Sequence, residues 1–400
     1  MTHRERVLAA IRGEVPDRLP WVPRLEFWHR ARLRQGTLPP ELRSLTLTEI
    51  TERLGVGCYA SIPDFTDVTN ETAMIDRTLG LFHLPVIPYR VTLEDVDRRV
   101  TRHGQETAVE YHTPAGSIRT ASLFTGEMLD AGASMSWTTE HPIREPRDFD
   151  VVGHIFSHLR IEPNFAGYLA RRQEVGEQGL AIGYLQGTAC PIQHIMKELM
   201  PLEKFFYALH DYPEKVQRLA EQIEPFFQRI QQIGADSPAE VLLLGGNYDD
   251  SITHPPFFEK YIFPALRDYA EVLHRQGKYL MTHTDGENQR LFPLYRRAKF
   301  DIADSVCPYP MTRCRLEEIR ANFGDHVTIW GGIPSTLLCA SSTPEDEFRR
   351  SIDETVERYT HQSHFILGVS DMVTADCEWD RLQYITDRLQ GTGNRRPPTN

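Results

Sequence analysis

Cysteine is scarce in this chain: there are six in 400 residues, at positions 58, 190, 307, 314, 339 and 377, and no CxxC pair. That argues against a disulfide framework and for reduced thiols in a reducing compartment. Long apolar runs are missing as well. No window approaches the ~20 apolar residues that a bilayer span needs. The opening Met1-Thr2-His3-Arg4-Glu5-Arg6 has no signal-peptide core. The expectation is a soluble, cytoplasmic protein. Positive charge is in deficit, since 44 Lys and Arg face 56 Asp and Glu and leave a net charge of −12. Nucleic acid is therefore a poor partner, and the acidic excess reads as solvated surface. Internal repeats and low-complexity tracts are lacking too.

What is present is an ordinary globular composition, 40% hydrophobic and 25% charged, enough to bury a large core. Arg4 to Arg12 reads as a short amphipathic helix with Val7, Leu8 and Ile11 on one face, ended by Gly13. Eight strand candidates follow: 19–22, 58–62, 180–186, 241–246, 278–284, 301–307, 327–333 and 364–370. Helical spacing separates the later ones, as in 257–276 and 344–360. This rhythm implies parallel strands with helical crossovers, and the count points to an α/β (β/α)8 TIM barrel. A doubly wound sheet is the alternative, but the Gly-rich phosphate loop it usually carries is missing. Residues 86–140 break the rhythm. Segments 98–102 and 107–112, the turn Thr113-Pro114-Ala115-Gly116 and a return over 117–122 predict an inserted antiparallel hairpin. The expected organisation is one barrel domain over 1–390, with 391–400 as a loose tail.

In such a barrel the strand ends line the mouth. His283 and Asp285, two residues apart, point to one side of an extended chain. They suit a metal or a proton relay, or else a capped turn. Cys307 ends the next strand, and His283, Asp285 and Cys307 together would suit zinc; a small buried hydrophobe is the plainer reading of Cys307. Asn247-Tyr248-Asp249-Asp250 is costly to bury without partners and fits a substrate site or a helix cap. Asp371 is a candidate fourth ligand or general base, or a cap. Gly331-Gly332 permits close backbone approach or a tight turn. Arg24 could clamp an anion. Trp21 and Trp28 could line an apolar pocket or sit in the core.

Arg4-Glu5-Arg6-Val7-Leu8-Ala9-Ala10 and Pro16-Asp17-Arg18-Leu19-Pro20-Trp21 resemble the opening of the uroporphyrinogen decarboxylase superfamily. His283-x-Asp285-Gly286, Trp330-Gly331-Gly332-Ile333 and Ile366-Leu367-Gly368-Val369-Ser370-Asp371 agree in order and spacing over nearly the whole chain. The resemblance implies a TIM barrel and one of two activities. One is cofactor-free porphyrinogen decarboxylation; the other is methyl transfer through a corrinoid protein, usually with zinc. The decarboxylases' Arg-Gln-Ala-Gly-Arg run is replaced here by Arg24-Leu25-Glu26-Phe27-Trp28. In the methyltransferase branch zinc sits on His-x-Cys and a later Cys, where this chain has Asp285 and Ser370.

The resemblance therefore points to a methyltransferase taking a methyl group from a small O- or N-methylated molecule, an aromatic ether among the candidates, to a corrinoid carried by a partner protein. Its expected residues are Asp249, Asp250 and Asp371 for catalysis, Arg24, Trp28, Asn247 and Tyr248 for substrate, and His283, Asp285 and Cys307 for zinc. The alternatives are a metal-free decarboxylase or lyase of a small acid, with Arg24 on the carboxylate, and a non-catalytic ligand-binding barrel.

Overall fold

The computed structural model describes residues 1–64 and 75–392. Its centre is a curled seven-stranded parallel sheet. In spatial and chain order the strands are β1 (Cys58–Ile62), β2 (Gly179–Gln186), β3 (Val241–Gly246), β4 (Tyr279–His283), β5 (Ile302–Val306), β6 (Thr328–Ile333) and β7 (Phe365–Val369). Strands β2, β3, β5, β6 and β7 are buried along their whole length. Helices cover a parallel sheet, so its strands read as continuous apolar runs rather than alternating ones. That is why seven of the eight expected strands form within a residue or so of their expected bounds.

The first expected strand forms only a bridge, Trp21 to Leu367 of β7. Pro20 and Pro23 flank it and cannot donate to a ladder. The segment still bonds on both sides. Val22 N–H donates to Leu367 O and Leu367 N–H to Pro20 O, both at 2.9 Å, and Gly57 N–H donates to Trp21 O at 2.8 Å.

The opening helix, His3–Ile11, begins in a capping box in which Thr2 and Glu5 satisfy each other's backbone N–H. It buries Val7, Leu8 and Ile11 as the spacing predicts, and Gly13 follows in the left-handed region at φ +77°. The stretch expected as one helix over 257–276 is broken into Pro255–Phe257, a wider turn at Phe258–Ile262 and Phe263–His274. The helix expected over 344–360 is Glu345–Tyr359.

The inserted region holds more than a hairpin. Asp97–His103, Glu106–Thr113, Gly116–Leu123 and Trp137–Glu140 form a four-stranded antiparallel sheet. Tyr89–Leu93 leaves it to pair with Leu159–Pro163. Asp76 ties the sheet down: it is fully buried, accepts the Tyr111 hydroxyl at 2.8 Å and pairs with Arg98 and His83. The last helix, Trp379–Thr392, runs through Gly391, so the expected loose tail does not start there; the rest of that expectation lies outside the described residues. No helix among the described residues is long and apolar enough to cross a membrane.

Candidate active site

Pairing of β4 with β5 sets His283 opposite Asp304. Across that register His283 Nδ1 donates to Asp304 Oδ2 at 2.8 Å. Asp304 is buried, and the same oxygen also accepts the Tyr59 hydroxyl of β1 and the Ser305 hydroxyl, each at 3.2 Å. On the other side of His283 lies β3, and Gly246 makes the room. A Cβ there would stand 2.8 Å from His283 Cβ, closer than side chains tolerate.

With Nδ1 held, Nε2 faces the strand ends. It stands 3.4 Å from Asp285 Oδ1 and 3.6 Å from Asp371 Oδ1. The side chain is only 12% exposed. Burial disfavours its charge, but Asp285, Asp304 and Asp371 outweigh burial and push the imidazole up to about 9. His283 is therefore an imidazolium at neutral pH, with a proton on the nitrogen that faces the open end of the sheet.

The carboxylates are themselves held. Arg24, buried on the segment after Trp21, reaches Asp371 with Nη1 and Asp64 with Nη2, both at 3.3 Å. Its guanidinium lies over the Tyr59 ring, 5.0 Å from the centroid. Asn247 turns the chain at the end of β3 with φ +54°, a value asparagine tolerates. Its amide donates to both Asp285 oxygens at 3.1 and 3.2 Å, and Lys197 Nζ donates to its carbonyl oxygen at 3.0 Å. Burial and Asp371 hold the Asp285 carboxyl above its ordinary range, while His283 and Lys197 pull it back. A cavity of about 360 Å³ shares Tyr59 and Asp64 with this cluster and is also lined by Glu26, Ser61 and Arg171. Burial, reinforced by Asp64, pushes Glu26 there up to about 8.

Of the residues expected from sequence, the structure brings together His283, Asp285, Asp371, Arg24 and Asn247. Cys307 lies beside them, where it interacts with Asp285 and Asp371, whereas Trp28, Tyr248, Asp249 and Asp250 serve other purposes. Trp28 is fully buried, stacks on Trp379 at 5.7 Å and donates to Cys377 O at 3.0 Å. It is core, not pocket lining. Tyr248 is fully buried between Phe258 and Tyr295, its hydroxyl 2.9 Å from Thr282 Oγ1. Asp250 is buried and accepts from Arg290 N and Nε at 2.9 and 3.2 Å, a loop-to-loop tie. Asp249 accepts from Ser251 N at 2.8 Å and serves as a turn cap, the plainer of its two readings. Arg24 is engaged by two carboxylates rather than poised for a substrate anion.

The expected zinc ligands do not converge. Among the described residues, the sets of His, Cys and carboxylate groups whose ligand atoms all lie within 4.8 Å of one another are Asp95, His154 and His158, and Cys339, Asp376 and Cys377. His283, Asp285 and Cys307 are not such a set. In this geometry the three residues do not fit zinc.

Sequence reading missed Asp304, Tyr59, Asp64 and Lys197. Asp304 carried a signal: a carboxylate inside the apolar run Ile302–Val306 is costly to bury without a partner.

A family model described as uroporphyrinogen decarboxylase (URO-D) matches residues 138–391. Among solved structures, a methyltransferase from Methanosarcina mazei is similar in fold, with a TM-score of 0.56 and 13% identity, over 98% of this chain and 99% of that one. A B12-independent methionine synthase from a Shewanella species aligns more loosely, with a TM-score of 0.39 and 11% identity, over 94% of this chain and 95% of that one. No curated protein matches in sequence.

Proposed function

This chain belongs to the uroporphyrinogen decarboxylase family, and within it we propose that the chain is a methyltransferase that uses His283 as its acid. The carrying observation is the geometry of His283, its Nδ1 fixed by Asp304 at 2.8 Å and its Nε2 facing Asp285 and Asp371 at 3.4 and 3.6 Å, carboxylates that push the imidazole up to about 9. The substrate is a small O- or N-methylated molecule seated in the cavity that Tyr59 and Asp64 share with the site. The methyl carbon is attacked by a nucleophilic acceptor, expected to be the reduced corrinoid of a partner protein. The carbon–heteroatom bond breaks, its electron pair stays on the heteroatom, and His283 Nε2 supplies that atom's proton. Protonating the leaving atom is what makes methyl loss feasible near neutral pH. Asp285 and Asp371 then flank the neutral imidazole and favour its recharging from solvent.

The methyltransferase reading is supported by the family and by the likeness in fold to the Methanosarcina mazei methyltransferase. No step is routed through zinc, because the expected ligands do not converge. Decarboxylation of a small acid fits less well, since Asp64 and Asp371 already occupy the Arg24 fork. The double-sided hydrogen bonding of Trp21 supports a closed (β/α)8 barrel with Pro20–Val22 in the eighth place, and one domain over 1–390 with 86–140 inserted.

The test is a panel of O- and N-methylated small molecules, with free reduced cobalamin as acceptor, followed by its absorbance. Methylation by the wild type and its loss in His283→Ala is the expected result. A wild type that methylates nothing, or a His283→Ala variant that works as well, would refute the proposal.

A further inference from the structure

The loop after β6 and the loop after β7 meet at a pair of buried cysteines. Cys339 is 4% exposed and Cys377 fully buried. Their sulfurs lie 3.7 Å apart, so they are not bonded to each other. Two thiolates on one tetrahedral zinc, each at about 2.3 Å, stand about 3.8 Å from each other. The observed spacing, that of a thiol–thiol hydrogen bond, also matches two thiolates on a shared metal. A third donor converges on the same point: a carboxylate oxygen of Asp376 lies within 4.8 Å of both sulfurs. Thr374 donates to Asp376 Oδ1 at 2.6 Å, the kind of outer hydrogen bond that orients a ligating carboxylate.

The loop that carries Cys377 is held by its neighbours. Arg32 donates to the carbonyl oxygens of Ala375 at 2.9 Å and Cys377 at 3.0 Å, which sets a cation beside the cluster and holds the loop's backbone. Trp28 also donates to Cys377 O, at 3.0 Å. Both thiols donate to Ser335 O, at 3.5 and 3.7 Å, bonds they give up on binding an ion. Asp376, exposed at the rim, gives an ion its way in.

We infer that Cys339, Cys377 and Asp376 form a zinc site, separate from His283, that clamps the β6 and β7 loops together. The soft sulfur pair with one oxygen selects zinc over magnesium or calcium. Binding releases both thiol protons to solvent. The clamp lies in the same loop as Asp371, which the Val373 N–H bond to Arg24 O and the Arg24 ion pair already fix from the other end. The ion therefore holds one flank of the active site, with its fourth position left to water.

The test is metal analysis of the whole protein, equilibrated with zinc and then dialysed without chelator. Wild type, His283→Ala, Cys377→Ser and Asp376→Asn are compared, with far-ultraviolet circular dichroism as the check on folding. About one zinc per chain is expected in wild type and in His283→Ala. Cys377→Ser should hold less than a tenth of that, and Asp376→Asn, at an exposed position that does not endanger the fold, should bind about 10- to 100-fold more weakly. Cobalt in place of zinc should give a sulfur-to-cobalt charge-transfer band that Cys377→Ser lacks. No zinc in the wild type, equal zinc in a folded Cys377→Ser, or thiol counting that finds Cys339 and Cys377 joined as a disulfide would each overturn the inference.

Discussion

His283 and Asp304 face each other in register on β4 and β5, and their side chains meet at 2.8 Å. A histidine that gains carboxylate partners on folding is charged more readily than the free side chain. The value of about 9 lies above the ordinary 6.5, so this interaction stabilises the fold fully below pH 6.5 and is lost as pH rises through 9. An NMR titration of the His283 ring should therefore find its midpoint near 9, and Asp304→Asn should lower it. The melting temperature of the wild type should fall between pH 6.5 and 9 by more than that of Asp304→Asn. A wild-type midpoint at or below 6.5 would contradict this electrostatic account.

Gly246 keeps space open for the imidazole. Gly246→Ala places a methyl group 2.8 Å from His283 Cβ, so the ring must move. A displacement of about 1 Å at a reacting group can cost about 100-fold in rate. The variant should fold and lose activity on that scale. Activity within a factor of two of wild type would mean that the ring position does not matter.

Arg24 links Asp64 with Asp371 while 6% exposed. Removing one member of a buried ion pair leaves charges without a partner and costs about 3–5 kcal/mol. Arg24→Met should be destabilised on that order in denaturant unfolding. Arg24→Lys should rescue little, because one ammonium cannot span two carboxylates as a planar fork does. A fully stable Arg24→Lys would show that the fork geometry is dispensable.

Trp28 separates a core role from a substrate role. Trp28→Ala should lose about 3–5 kcal/mol by opening a cavity beside Trp379. Trp28→Phe should keep KM within a factor of two, since the ring does not line the site. A large rise in KM with stability unchanged would return Trp28 to the pocket.

These placements show what the sequence made legible. The βα rhythm after residue 180 was readable because parallel strands buried on both faces are continuous apolar runs, such as Val241–Gly246. The Trp21 segment reads as a short extended strand from its apolar residues, and it forms only a bridge because its prolines cannot donate to a ladder. The His283, Asp285 and Asp371 cluster was legible because strand ends line the open end of such a sheet. Its geometry was not, because the partner that fixes His283 is Asp304, inside the neighbouring strand and distant in sequence. Trp28, Tyr248 and Asp250 carry the chemistry of a binding site and serve as core and loop ties. Composition alone cannot separate those uses; burial does.

The measurement closest to the central claim is the pH dependence of methyl transfer to reduced cobalamin, in wild type and in Asp304→Asn, with whichever donor the panel identifies. If protonated His283 is the acid, the wild-type rate should hold level through neutral pH and fall above about 9, and the fall should move to lower pH in Asp304→Asn. A wild-type rate that rises through that range, or a profile that Asp304→Asn leaves unmoved, would contradict the account.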